Sequence, residues 1–290
     1  MTSTHTSARL PTVPPPRRLT PQATRNGGAV GMLVAHVRAE IRQNLRLPEY
    51  MVGVVAIPIL LFAMFGLPEA GQIMPCGTDV GAMMFVSMSC YGIVSLAIFT
   101  FGIDIAQERG KGWLRRLRAT PMPMWVYFAG KAAMALVFSS VILAVMLAVA
   151  LLLGDVAFDA ERLARTLLVL LAGALAFAPI GFALAYWARP RAASAIGNLV
   201  FLPLAFASGF FFTLNGLPRF VQQLAPYLPT YHFGQLAWSQ MAPASDVQAF
   251  GSPAPGSLAS HAAWVVGGAV VFGVLAAVGY RRDLNRSNNR

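Results

Sequence analysis

The chain has 290 residues, a formal charge of +11, 57% hydrophobic residues and only 11% charged ones, with a mean hydropathy of +0.61. That charged fraction is less than half the ~25% of soluble proteins, which excludes a soluble globular fold and puts the chain among integral membrane proteins. The surplus cations sit at the ends of apolar stretches, a distribution that argues against a nucleic-acid partner and for a lipid surface.

Cys76 and Cys90 are too few for a disulfide framework, and on one helix they would lie about 20 Å apart. His5, His36, His232 and His261 are scattered without metal-ligand spacing.

Residues 1–28 are rich in Thr, Ser, Pro and Arg, lack an apolar period, and read as a disordered cytoplasmic tail. The pair Arg17–Arg18 is not followed by an apolar signal-peptide region, so no cleaved signal is expected. A transmembrane domain is assigned to 29–282 and a second cytoplasmic tail to 283–290. In 29–47, Val30, Leu33, Val34, Val37, Ile41 and Leu45 share one helical face. Arg38, Arg42, Arg46 and Glu40 lie at its flanks or behind. This is an amphipathic helix of the kind that rests in the membrane interface.

Pro48 closes that helix. A first span is expected near 50–67, kinked at Pro58, and a second over 80–103. The third, 124–153, exceeds the ~20 residues a bilayer requires. Its first turns should project beyond the membrane, with Lys131 reaching up to the headgroups. The fourth span covers 166–187 with Pro179 inside. After a loop with Arg189 and Arg191, the fifth covers 192–214 with Pro203 inside.

The stretch 215–260 is only moderately apolar and rich in proline. Over 215–241 it should form two short helices, broken at Pro226 and Pro229. Each is too short to cross at ~1.5 Å per residue, so both should dip into the outer leaflet over the ends of the fifth and sixth spans. Tyr227, Tyr231 and Trp238 are expected at headgroup level. The sixth span is expected over 261–280, followed by a cationic end.

With six spans, 18 of the 22 Lys and Arg fall on one side, which places both termini and the basic loop in the cytoplasm. Lipid offers no partner to an open backbone, so the fold class is an all-α membrane protein. It has six transmembrane helices, an N-terminal amphipathic interfacial helix, and outer re-entrant helices between spans five and six.

The loop 104–123 concentrates Arg109, Lys111, Arg115, Arg116 and Arg118 within ten residues. Trp113, Leu114 and Leu117 would share one helical turn. A short helix that docks on a partner fits this pattern, as does a solvated loop that obeys the positive-inside rule.

Other chemistries lack their signals. The span interiors hold no Asp or Glu, the usual sign of an ion-coupled carrier. Gly130–Lys131 is followed by Ala132 and Gly110–Lys111 by Gly112, so neither forms a phosphate-cradling loop. For an intramembrane serine hydrolase, Ser208–Gly209 has Phe206 where a first Gly belongs, and His232 and His261 lie in or beside the outer segment. Ser208 is read as a packing residue, and the chain is not expected to be an enzyme.

The order of an amphipathic helix, two spans, a loop with Glu108, Arg109 and Gly110 followed by Leu117 and Pro121, and then four spans resembles the ABC-2 permease family. The stretch 203–231, with Ser208–Gly209, Phe211–Phe212, Leu217–Pro218 and Leu228–Pro229, is similar to that family's fifth span and outer helices.

The resemblance implies a permease subunit of an ATP-binding cassette exporter in a bacterial plasma membrane. ATP and Mg²⁺ would be bound by a separate ATPase subunit, with no cofactor on this chain. The coupling helix would be 108–119, anchored by Trp113, Leu114 and Leu117 and rimmed by Arg115, Arg116 and Arg118. The interfacial helix, with Val30, Leu33, Val37, Arg38, Ile41 and Arg42, would rest on the same subunit. A second permease copy or a paralogue would complete the pathway. Phe206, Ser208, Phe211, Phe212, Leu217, Pro218, Tyr227 and Pro229 would line the path or its outer gate. The aromatic-rich fifth span favours hydrophobic or amphiphilic cargo, with polysaccharide as the alternative.

Overall fold

The computed structural model describes residues 29–46, 51–120, 122–251 and 256–288. The N-terminal tail, Pro48 and Pro121 lie outside them. The described residues form helices and turns, with one isolated bridge between Ile73 and Asp79. Six helical stretches are long and apolar enough to cross a membrane: Val52–Glu69, Val80–Gly110, Met124–Leu153, Ala160–Trp187, Pro190–Ala207 and Leu258–Asn285. The all-α membrane fold is as expected.

A helix, α1 (Ala29–Leu45), precedes the first span. That span begins with wide π turns over Met51–Ala56 and continues as α2 (Ile57–Phe65), with Pro58 in the first turn of α2. A proline there removes no α-helical hydrogen bond, and the wide turns accommodate its ring.

The second span is the centre of the bundle. It runs as α3 (Val80–Leu96), a π stretch (Ala97–Asp104) and α4 (Ile105–Gly110), well beyond the expected end at 103. Its start is set by Asp79, whose carboxylate accepts the Gly81 amide at 2.7 Å. It is apolar on every side, and 89% of its most hydrophobic window is buried, against 11% for the last helix. Small residues let neighbours close in. Pro58 packs on Gly92, and α8 crosses the π stretch where Gly181 meets Ala97 and Phe101, leaving no room for a Cβ.

The third span is one helix, α6 (Met124–Leu153), after the short α5 (Trp113–Arg118). The fourth breaks at Phe177 into α7 (Ala160–Ala176) and α8 (Ala178–Trp187), with Pro179 in the first turn of α8. The fifth, α9 (Ala193–Ala207), stops well short of 214. Gly209 takes φ 79° and turns the chain out of the helix.

The segment after α9 contains two short helices, α10 (Arg219–Leu224) and α11 (Pro229–Met241), separated by a 3₁₀ turn at Ala225–Tyr227. A further helix, α12 (Ala244–Ala249), precedes α13 (Leu258–Asn288). α11 lies against α3, α7 and α13. Tyr231 and Trp238, expected at headgroup level, are buried, and the Trp238 indole donates to Ser87 Oγ at 3.1 Å. Only Tyr227 of the three stands out, at 68% exposure. α11 is therefore a core element.

α12 ties the outer segment to the connector before the second span. The buried Asp246 carboxylate accepts the Cys76 amide at 2.8 Å and the Thr78 amide at 3.2 Å. Burial alone would raise its pKa. Hydrogen bonds from Thr78 and Cys76, with Arg162 nearby, reverse that and hold it below the ordinary carboxylate value. A depressed folded-state pKa contributes stability that is present above the unfolded value of ~4 and lost as pH falls through the folded one. Asp246→Ala should lower the thermal midpoint in detergent at neutral pH, at a cost of ~1–3 kcal/mol for two amides left unpaired. The difference between variant and parent should shrink below pH ~4 as the parent's carboxylate protonates; an equal difference at pH 3 and pH 7 would contradict the assignment.

Candidate functional site at the basic face

The end of the second span, where the basic loop begins, is fixed at three successive residues of its own chain. Glu108 is the first. Its Oε1 accepts Lys131 Nζ at 2.7 Å, and its Oε2 accepts the Tyr127 hydroxyl at 2.5 Å. Lys131 Nζ also donates to Glu40 Oε2 at 2.9 Å. Lys131 is 2% exposed. The expectation that it reaches out to headgroups is overturned, because two carboxylates from α1 and α4 hold it inside. α1, the second span and the third span therefore meet at a single ammonium group.

This contact turns α1 differently from the apolar-face reading. Glu40 and Asn44 are buried, and His36, Leu33, Val37 and Ile41 are partly so, while Val30, Val34 and Leu45 stand exposed beside Arg38 and Arg42. Asn44 Nδ2 donates to the Glu40 carbonyl at 3.0 Å and to Met134 Sδ at 3.0 Å. His36 sits on Gly130, where a Cβ would strike the imidazole, and against the Tyr127 ring at 5.7 Å. Burial lowers the His36 pKa; the Glu40 carboxylate opposes that and the Lys131 ammonium reinforces it. The imidazole is thus neutral at pH 7, and Lys131 is the cation opposite Glu40.

Arg109 is the second tie. Its Nη1 donates to the Tyr186 carbonyl at 2.9 Å and its Nη2 to the Ala188 carbonyl at 2.7 Å, while Nη1 lies 3.6 Å from Asp283 Oδ1. A cation at the exposed carbonyls of a helix end is favourable on both hydrogen-bond and dipole grounds. One side chain thus joins the end of the second span to α8 and to α13.

Gly110 is the third, since a Cβ there would meet the Pro190 ring at 2.6 Å. Two residues on, Gly112 takes φ 74°, which ends α4 and lets α5 start in a new direction.

α5 then divides its residues. Leu114 (2% exposed) and Leu117 (9%) are buried in this chain's own core, so they are not free to anchor a partner. Trp113 is 43% exposed, and Lys111, Arg115 and Arg116 are exposed around it. The described side chains exclude that of Arg118. What the loop presents is one indole ringed by cations.

At the opposite end, Ser208 Oγ donates to the Leu204 carbonyl at 2.7 Å and lies 2.6 Å from Thr230 Oγ1. His232 faces elsewhere: its Nδ1 is 2.8 Å from His261 Nδ1 and its Nε2 2.8 Å from the Pro226 carbonyl. Among the described residues no imidazole is paired with the serine, and Ser208 joins α9 to α11. Burial lowers the pKa of His232, against the hydrogen bond to Pro226. Phe206 stacks on Phe211 and Phe212 with centroids 4.8 and 6.0 Å apart. Leu217 is half-buried and Pro218 exposed. Pro229 rests on Gly268 of α13, and Tyr227 lies edge-on to Trp264 at 6.4 Å. These residues form two groups, one of phenylalanines at the end of α9 and just after it, and one of aromatic rings where α11 meets α13.

Reasoning from sequence missed His36, Glu40, Lys131 and Asp283. The available signal was that Lys131 is the sole charged residue of its span, and an ionisable residue there calls for a named partner.

The described residues form a six-span helical membrane domain with a cationic face braced from within. The family model described as "ABC-2 type transporter" matches residues 33–240, and the chain belongs to that family. It is 26% identical over 200 residues, covering 69% of this chain and 81% of the relative, to a protein named putative transport permease YvfS from Bacillus subtilis (strain 168). The chain is accordingly a membrane permease subunit of an ABC transporter, a system with an ATPase partner.

Lys131→Met should be the most damaging single change at this face. It leaves the Glu40 and Glu108 carboxylates facing each other without a cation, and removing one partner of a buried ion pair costs ~3–5 kcal/mol. In detergent the variant should unfold at lower temperature and release α1 to protease ahead of the bundle. A parental melting profile with α1 still protected would show that the triad does not hold the helix.

Proposed function

We propose that this permease exports a hydrophobic or amphiphilic substrate, drug-like or lipid-like, using ATP hydrolysed with Mg²⁺ on a separate ATPase subunit. The observation that carries the coupling role is the braced loop. Glu108, Arg109 and Gly110 are consumed by contacts within the chain, and α5 is seated on its buried Leu114 and Leu117 with Trp113 exposed. Trp113 is the anchor that enters a groove of the ATPase, and Lys111, Arg115 and Arg116 steer the encounter from the rim. The exposed face of α1 with Arg38 and Arg42 rests on the same subunit and on lipid headgroups. A second copy, or a paralogue, completes the pathway.

The apolar cargo is supported by the stacked Phe206, Phe211 and Phe212 at the outer end of the fifth span. Both termini are cytoplasmic in this reading, and the membrane is the bacterial plasma membrane. α10 and α11, with Ser208, Leu217, Pro218, Tyr227 and Pro229, close the outer end of the pathway in the resting state.

Two outcomes follow. Trp113→Ala should insert and melt as the parent does, yet fail to co-purify with the ATPase and fail to transport. Leu117→Asp should instead lower the melting temperature, because it puts an unpaired carboxylate into this chain's own core. Normal ATPase capture by a folded Trp113→Ala chain would reduce the loop to a connector. For topology, an impermeant thiol reagent applied from outside should label a cysteine placed at Ala244 and miss one at Lys111 or Asn288, in a background lacking Cys76 and Cys90. External labelling at 111 would invert the scheme.

A further inference from the structure

We propose that the groove between the second span, α8, α9 and α13 binds an anionic phospholipid, one acyl chain in the groove and the headgroup on Arg282. The groove is about 380 Å³ in volume and its lining is apolar, with Ile98, Leu184, Trp187, Val200, Phe272 and Leu275 on its walls. That volume falls in the ~300–1,000 Å³ range of small-molecule sites. Trp187, Val200 and Leu275 are each about half exposed, so the groove opens sideways from the bundle. It lies wholly within stretches that span the membrane, where the surrounding medium is lipid and an apolar recess is filled by a hydrocarbon chain.

Charge at one end selects which lipid. Trp187 marks the basic end of the groove: its indole donates to the Leu275 carbonyl at 2.9 Å, and the Arg282 guanidinium lies over its ring at 4.6 Å. The ring is thereby fixed as the wall between groove and headgroup level. Arg282 is seven residues beyond Leu275 on one helix, about 10 Å along the axis at 1.5 Å per residue. A chain in the groove therefore places its headgroup beside that guanidinium.

Arg189, Arg191 and Arg281 are exposed at the same end. On the second span, Asp104 is half-buried and Glu108 is bonded to Lys131 and Tyr127; from residue 162 onward the sequence has two acids, Asp246 and Asp283. Asp246 is engaged by Cys76 and Thr78 at the other end, and Asp283 lies 3.6 Å from Arg109. The rim is left with a cationic surplus next to an apolar recess, the combination that retains acidic phospholipids.

The test uses the full chain in nanodiscs of phosphatidylcholine doped with phosphatidylglycerol, with retained lipids counted by native mass spectrometry. The parent should keep phosphatidylglycerol in preference to phosphatidylcholine. Arg282→Ala should cut that preference about fivefold, the factor corresponding to ~1 kcal/mol per basic residue near the surface, and Arg282→Lys should restore most of it. Arg282 is exposed, so these variants fold. Ala183→Phe, which fills the groove from α8, should lower retention of both lipids at this site. Equal retention of the two lipids by the parent, or no change with Arg282→Ala, overturns the proposal. So does a disulfide between two copies carrying Val200→Cys and Phe272→Cys, since a second chain would then occupy the groove.

Discussion

One buried ammonium sets the arrangement of the basic face. Lys131 lies at 2% exposure between Glu40 and Glu108, and withdrawing such a charge from water is unfavourable unless partners and geometry are complete. The requirement is demanding because the carboxylates come from two other elements. α1 has to present Glu40, α4 has to continue past the apolar part of its span to present Glu108, and α6 has to arrive with Lys131 facing both. Any rotation of α1 by one residue would point Glu40 away. The triad thus fixes rotational register among three helices whose apolar contacts alone would tolerate sliding.

The rest of the loop follows from where Glu108 is placed. Its neighbour Arg109 then faces the carbonyl end of α8, and Gly110 passes the Pro190 ring at a distance that admits no side chain. Three consecutive residues thereby make three different long-range contacts, with α6, α8 and the turn before α9. At the start of a run of charged residues that reads as solvent-facing, Glu108 and Arg109 are structural brace. The exposed residues left for a partner are Lys111 and, after the Gly112 turn, Trp113, Arg115 and Arg116.

The spans were legible because length and hydropathy alone identify them, and the third was located residue for residue. Their ends were less so. The second span continues through wide π turns into a charged stretch, and the fifth stops at Ser208–Gly209 although Phe210, Phe211 and Phe212 prolong its apolar run. α1 shows the limit of periodicity. Its apolar residues define a face, yet Glu40 turns the helix because its partner is 91 positions away, and no local pattern encodes that. Leu114 and Leu117 were recognised as anchors but assigned to another protein, since apolar spacing on a short helix does not say whose core it enters. α11 was read as peripheral because it is flanked by prolines, whereas its small and aromatic residues fill a gap between α3, α7 and α13: Gly173 leaves room for Phe233, and Ser87 accepts the Trp238 indole.

The second span links the two ends of the molecule. At one end α3 carries Ser87 against Trp238 of α11, and at the other α4 carries Glu108 and Arg109 in the braced loop. Between them lies the π stretch Ala97–Asp104, crossed by α8 at Gly181 and packed against α9 at Ile103 and Gly197. A π turn holds one residue more than an α turn, so its pitch can tighten without breaking the helix. The glycines beside it remove the side chains that would otherwise lock it in place. If the ATPase moves α5 as proposed, the triad and Arg109 pass that movement to α4 with little slack, and the π stretch is the first point along the span where it can be absorbed or converted into rotation. Above it α3 is held by buried apolar contacts and by the Trp238 indole on Ser87, so the adjustable part is confined to the eight residues of the π stretch.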